Sequence, residues 1–257
     1  MKKSIIAVAS LLVVGVLFLA GCQSKGDGEA NSEKVLRVGT EGTYSPFSFR
    51  DDNDKLTGYD VDVAKAVAKK INYKVKFVEA PWDSMLAAFD ANKSDVIFNQ
   101  VSITPERKEK YLFSTPYSVS HPALIVNKDN NEIKDFADLK GKTSAQSLTS
   151  NYAQMAEDLG AEISSVDGFS KAVELVGDNR ADATLNDDVT YYDYLNQKPD
   201  ASIKIVKTSD EATEVAAMFH KEDKKLAEKV DKAIKELEAD GTLTKLSEKY
   251  FKKDISK

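Results

Sequence analysis

The sequence predicts an α/β fold of two lobes, on three observations. Apolar residues recur with period two and with period 3.6 in alternating stretches. That alternation halts at a polar stretch, 127–131, and then starts again. The 257 residues leave room for two units of ~120, each large enough for its own core. Such alternation implies largely parallel sheets covered by helices. Two lobes of this kind place a cleft between strand ends, where α/β sheets bind ligands.

The chain opens with an address. Met1, Lys2 and Lys3 form a cationic start, and the apolar run over 5–20 is shorter than the ~18–20 residues a membrane span needs. A charged start and a short apolar core predict an export signal over 1–21. Leu19-Ala20-Gly21-Cys22 resembles the lipobox of bacterial lipoproteins, in which the chain is cut before the cysteine and lipid is attached to its sulfur. The alternative is an ordinary signal peptide with a chance cysteine. The polar residues after Cys22 cannot bury enough surface to offset their ordering entropy, which predicts a lipidated tether over 22–34. Loss of Lys2 and Lys3 with the leader moves the net charge from -6 to -8. The expected location is the cell membrane, lipid-anchored and facing outside the cytoplasm.

The body follows in order. A short strand over 35–38 runs into Gly39-Thr40-Glu41-Gly42. Asp60 opens a helix whose Ala64, Val67, Ala68 and Ile71 share one face. Val75 and Phe77 alternate with lysines in a half-buried strand, Met85, Leu86 and Phe89 mark a helix, and 95–98 is a buried strand. Thr104-Pro105-Glu106 reads as an N-cap, a proline at the first helical position and an acidic first turn. A strand over 123–126 ends the first round. The second has strands over 142–145, 163–166 and 183–185, with helices marked by Tyr152 and Met155, by Phe169 and Val173, and by Tyr191 and Leu195. Strands over 203–206 and 215–219 precede a long helix carrying Leu226, Val230 and Ile234, stopped by Gly241. A last helix carries Leu243, Leu246 and Tyr250.

Composition removes several functions. A mean hydropathy of -0.40 excludes a multi-span membrane protein, and acidity argues against a nucleic-acid partner. One cysteine excludes a disulfide framework or a Cys-rich metal site. Two histidines, His121 and His220, are too few for a zinc hydrolase. No cofactor or metal site is expected on these counts.

Three polar stretches at strand ends and helix starts are candidates for a ligand site. In Asn99-Gln100-Val101-Ser102-Ile103-Thr104-Pro105-Glu106-Arg107, a helix start offers free N–H groups, and Arg107 can grip a carboxylate with two hydrogen bonds. It can equally be a surface residue paired with Glu106 or Glu109. Ser147-Leu148-Thr149-Ser150-Asn151 can donate to the same anion, or simply cap a helix. In Leu185-Asn186-Asp187-Asp188, at the end of the strand over 183–185, a carboxylate such as Asp187 can hold an ammonium group or cap the next helix. Tyr44 and Trp82 sit beside turn prolines and can flank an aliphatic side chain, or belong to the core.

These segments resemble the extracellular solute-binding proteins of polar amino acid ABC transporters, bacterial family 3. The resemblance covers essentially all of 35–257 and is carried by GTEGTYSPFSF (39–49), LTGYDVDVAKAVAKK (56–70) and DVIFNQVSITPERKEKYLFSTPY (95–117). DLKGKTSAQSLTSNYA (138–153), RADATLNDD (180–188) and EADGTLTKLSEKYF (238–251) complete it. TEGTYSPF, PWDSML, NQVSIT and TSAQSLTSNY look most like the cystine-binding subset. It implies a periplasmic-binding-protein-like type II clamshell, with two lobes joined by two hinge strands. Lobe 1 would span 36–119 and 215–257, and lobe 2 would span 120–214.

Carried over residue by residue, the resemblance gives the α-carboxylate to Arg107, helped by Ser102, Ser150 and Asn151, and the α-ammonium to Asp187. Tyr44 and Trp82 would flank the side chain, with Glu41, Asn99 and Gln100 also in the pocket. Glu41 adds an acid that disfavours glutamate and aspartate and tolerates a second ammonium, as cystine, lysine and arginine carry. L-Cystine or a related sulfur amino acid is the expected ligand, with arginine, lysine or glutamine as alternatives. The resemblance also implies a monomeric binding protein rather than an enzyme, without catalytic residues, whose partners are the permease and ATPase subunits of an importer. The same clamshell occurs in enzymes resembling cyclohexadienyl dehydratase and in some lytic transglycosylases, for which Glu41 is the one acid to name.

Overall fold

The computed structural model describes residues 34–256. The expected leader (1–21), the lipidation site Cys22 and the tether up to residue 33 lie outside the described residues.

The first round begins with β1 (Val35–Thr40), whose last three residues are buried. A small hairpin of β2 (Phe49–Arg50) and β3 (Leu56–Thr57) leads into α1 (Tyr59–Lys70). Ala64, Val67 and Ala68 are buried on the expected face of α1, and Ile71 packs against the same core. Next come β4 (Lys74–Glu79), α2 (Trp82–Asp90), β5 (Val96–Ile97), α3 (Pro105–Lys110) and β6 (Tyr111–Phe113). Thr104 caps α3 as its sequence predicts, its hydroxyl accepting the Arg107 N–H at 3.3 Å.

A three-residue strand, β7 (Ser118–Ser120), then carries the chain into β8 (Pro122–Asn127), which is buried throughout. The second round is β9 (Thr143–Gln146), α4 (Asn151–Asp158), β10 (Glu162–Ser165), α5 (Phe169–Gly177), β11 (Ala183–Asp187), α6 (Asp188–Gln197) and β12 (Ile203–Thr208). The return passes through β13 (Thr213–Val215) and β14 (Met218–His220) to α7 (Lys224–Ala239) and α8 (Thr242–Phe251). Gly241 separates the last two helices in the left-handed conformation, φ 74°, where its missing Cβ removes the steric penalty.

Two five-stranded sheets result, in the orders β4-β1-β5-β14-β6 and β10-β9-β11-β8-β12. They are mixed, which corrects the expectation of largely parallel sheets. β1 runs parallel to β4 and β5, but β14 is antiparallel to β5 and β6. Likewise β9 runs parallel to β10 and β11, whereas β8 is antiparallel to β11 and β12. The reversed strands, β8 and β14, are those that enter a sheet directly after the chain has crossed from the other one.

The crossing also breaks the strand expected over 215–219. Val215 pairs with Ser118 in the antiparallel β7–β13 ladder, while Met218 pairs with Ile97 inside the first sheet. Ala216 and Ala217 lie between, hydrogen-bonded to the Val101 carbonyl and the Ser114 hydroxyl. The β7–β13 ladder joins the two lobes. Among the described residues no helix is long and apolar enough to cross a membrane.

Candidate functional site

A cavity of about 530 Å³, open mouth included, lies between the two sheets. Eight of the ten ligand residues expected from sequence line it: Glu41, Tyr44, Trp82, Asn99, Gln100, Ser150, Asn151 and Asp187. Arg107 lines an adjoining groove that shares Ser150 and Asn151 with the cavity. Ser102 lines neither. It is buried beside the hinge, bridged to Val215, and its carbonyl accepts a bond from Arg107.

Asp187 ends β11 and is buried, with its carboxylate accepting hydrogen bonds from the hydroxyls of Tyr44 at 3.0 Å and Tyr152 at 2.5 Å. Burial raises its pKa, and the neighbouring charge of Asp188 raises it further. Asp187 does not cap α6 through its side chain, which settles one of its two readings. Tyr44 comes from the other lobe and also donates to Asn186 at 2.7 Å, so its hydroxyl spans the cleft.

Arg107, in the first turn of α3, is half-buried and has no carboxylate partner among the described residues. Its guanidinium donates to the carbonyls of Ser102 at 3.0 Å and of Thr149 at 3.3 Å, and it lies 5.3 Å from the centre of the Trp82 ring. Burial pushes its pKa down to about 10. A guanidinium held by two neutral carbonyls keeps most of its charge uncompensated, and it gains from an anion.

Glu41 follows β1 at the strand end. Asn99 Nδ2 donates to its carboxylate at 2.6 Å, and Asn99 Oδ1 accepts from the Glu41 main-chain N–H at 2.8 Å and from Thr40 Oγ1 at 3.0 Å. Burial pushes Glu41 up to about 7, opposed by the Asn99 bond and raised further by Asp167. Gln100 stands in the left-handed region, φ 47°, unusual for a residue with a Cβ. The clamp is Asp60, which accepts from the Gln100 main-chain N–H at 2.7 Å and from its Nε2 at 3.0 Å. Gln100 Nε2 also reaches Ser118 Oγ on β7 at 3.3 Å, tying the cavity floor to the hinge ladder. Asp60, read from sequence as a helix opener, is fully buried, and burial pushes it up to about 7.

The sequence does not single out Gln146, Tyr152, Gly168, Phe169, Ala172 and Thr184 as cavity residues. Ser147 and Asn186 stand out only as members of polar stretches at a helix start and a strand end. The spacing puts Tyr152 and Phe169 on core-facing helix stripes. That reading is half right, because their rings are buried in apolar clusters. The available signal was position, since Tyr152 and Phe169 each occupy the first turn of a helix that starts at the cleft.

The lobes touch at the mouth. The Asp83 carboxylate, at the start of α2, accepts from the main-chain N–H groups of Leu148 at 3.2 Å and Thr149 at 2.9 Å, and from the Thr149 hydroxyl at 2.6 Å. Among the described residues, no group of three or more His, Cys, Asp or Glu side chains is placed to hold a metal ion.

Two mixed sheets hinged by paired strands, around a cavity with an anion on one side and a cation at its edge, define a solute-binding protein. The sequence profile of the bacterial extracellular solute-binding proteins, family 3, matches residues 36–253, and the chain belongs to that family. It is 44% identical to the L-cystine-binding protein TcyA of Bacillus subtilis, over 100% of both chains. Among solved structures it is similar to an ancestral arginine-binding protein bound to arginine, with 38% identity, a TM-score of 0.79, and coverage of 85% of this chain and 99% of that one. It is also similar to the L-cystine solute receptor of Neisseria gonorrhoeae in the unliganded open conformation. There the identity is 46% and the TM-score 0.57, over 88% of this chain and 97% of that one.

Proposed function

We propose that the protein captures L-cystine, or a related amino acid with a second polar end, outside the cytoplasm and delivers it to the permease and ATPase of an ABC importer. The observation that carries this reading is that, among the described residues, buried Asp187 has no cationic partner and Arg107 no carboxylate partner, at one cleft. An α-amino acid carries the complement of both. Its carboxylate goes to Arg107, with Ser150 and Asn151 at the start of α4 and Ser102 holding the guanidinium through its carbonyl. Its ammonium goes to Asp187, while Tyr44 and Trp82 flank the side chain and Glu41, Asn99 and Gln100 face its far end. Each ion then has a partner, which avoids the several kcal/mol a stranded buried charge costs.

Closure follows from contact with both lobes, since Arg107 and Asp187 sit on different ones. In this reading the lobes are 36–119 with 215–257, and 120–214. The arrangement described is the closed one. Support comes from the cross-cleft bonds of Asp83 and Tyr44. Further support is the higher TM-score with the arginine-bound structure than with the open one, despite lower identity to the former. Cys22 anchors the chain by lipid, about 0.8 kcal/mol for each CH₂ buried in the bilayer.

A thermal-shift panel of the twenty amino acids and cystine, on the chain from residue 24 onward, tests the reading. Cystine is expected to give the largest rise, because a ligand of the folded state alone stabilises it by mass action. No shift with any of them sinks the ligand class. The raised pKa of Glu41 also suits proton transfer, the work of the dehydratase-like enzymes on this fold. In the present reading prephenate is not turned over, and its consumption by the purified protein would establish an enzyme instead.

A further inference from the structure

Two polar atoms on cavity-lining side chains have no hydrogen-bond partner among the described residues, Trp82 Nε1 and Gln100 Oε1. Their senses are opposite, since an indole N–H can only donate and an amide oxygen only accepts. Both side chains are more than nine-tenths buried, with exposures of 8% and 6%. A buried N–H left unpaired costs on the order of 1–3 kcal/mol, a cost that an acceptor brought by a ligand would remove.

The indole is a fixed donor. One face carries Arg107, and the ring packs in an apolar cluster with Met85, Phe89 and Met218. Trp82 and Glu41 line the same cavity, and the Trp82 main chain lies against the Glu41 carboxylate. Glu41 and Asp187 face the cavity from different sheets, Glu41 just after β1 in one and Asp187 at the end of β11 in the other.

We infer that the Trp82 indole N–H reads an acceptor oxygen at the far end of the ligand, next to the donor that Glu41 receives. The inference rests on the amino-acid reading above and narrows it. The far end carries donor and acceptor together, as a second amino-acid head group or a terminal amide does. A bare ammonium or guanidinium leaves the indole N–H unpaired and is selected against.

The test is calorimetric titration of the wild-type protein and Trp82→Phe, which keeps an aromatic face and removes the donor, with L-cystine, L-glutamine, L-lysine and L-arginine. Trp82→Phe is expected to weaken cystine and glutamine about tenfold and to change lysine and arginine less than twofold. The chain has a single tryptophan, so one indole resonance in a ¹⁵N-labelled wild-type sample reports the same contact without a substitution. It is expected to move downfield with cystine and glutamine and to move less with lysine. Equal loss across all four ligands would place the N–H on the α-carboxylate they share and overturn the inference. Unchanged cystine binding, or a wild-type preference for lysine or arginine over cystine, overturns it as well. Each of those results leaves the amino-acid reading standing. Failure of the wild-type protein to bind any of the four defeats that reading and the inference together.

Discussion

At the residue scale the site is a problem of buried charge. Glu41 is pushed up to about 7 by burial, from an ordinary carboxylate value of 4.5. The folded state therefore holds a proton that the unfolded chain releases between these values. Stability falls as pH rises from about 4.5 to about 7, and the loss persists above it. Glu41→Gln removes this contribution, so the unliganded variant is expected to be more stable than wild type at pH 8, by on the order of 3 kcal/mol, and equal to it at pH 4. Denaturant unfolding at both values checks this. Above about pH 7 the ionised Glu41 welcomes a second ammonium, so cystine affinity is expected to rise from pH 5.5 to 8 in wild type and stay flat in Glu41→Gln. Calorimetry across that range decides, and parallel profiles would remove Glu41 from the ligand's far end. Arg107 and Asp187 stand out in the sequence as charges at a helix start and a strand end, but each has a competing surface or capping reading, and only the family resemblance gives them ligand roles. Tyr152 does not stand out, because a tyrosine on an apolar helix stripe has the same pattern whether or not its hydroxyl reaches a carboxylate.

At the element scale the long helices and buried strands announced themselves by period, with bounds shifted by a residue or two. The hinge did not. β7 and β13 are three residues each, too short for any period to register, and the chain between β13 and β14 is apolar without a break. Only the pairing partners separate Val215 from Met218. The start of α2 was legible as a turn followed by a helix, yet the task of Asp83 across the cleft was invisible, because its partners are main-chain N–H groups some 65 residues away. Asp83 accepts three bonds from Leu148 and Thr149, and these form only when the lobes meet. Asp83→Ala is expected to weaken every ligand by a common factor of about three to ten and to speed dissociation, since closure loses stabilisation that is independent of the ligand's side chain. Stopped-flow dissociation measures it. An unchanged rate would show that the latch adds nothing to closure.

At the scale of the whole molecule, the proposed function has one arginine and one aspartate turn a hinged pair of sheets into a detector of zwitterions. The two-lobe α/β architecture was readable from the repeated alternation of elements, whereas the mixed sheet order was not, because strand direction is set by where the chain crosses the hinge. Gln100, clamped by Asp60 and touching Ser118, ties the cavity floor to that hinge. The most direct test is calorimetric titration of L-cystine into the wild-type protein, Arg107→Ala and Asp187→Asn, with far-ultraviolet circular dichroism to show that all three are folded. The account predicts one site per chain at about micromolar affinity in wild type, near -8 kcal/mol, and no measurable binding in either variant. Tight binding by a folded Arg107→Ala or Asp187→Asn would contradict it.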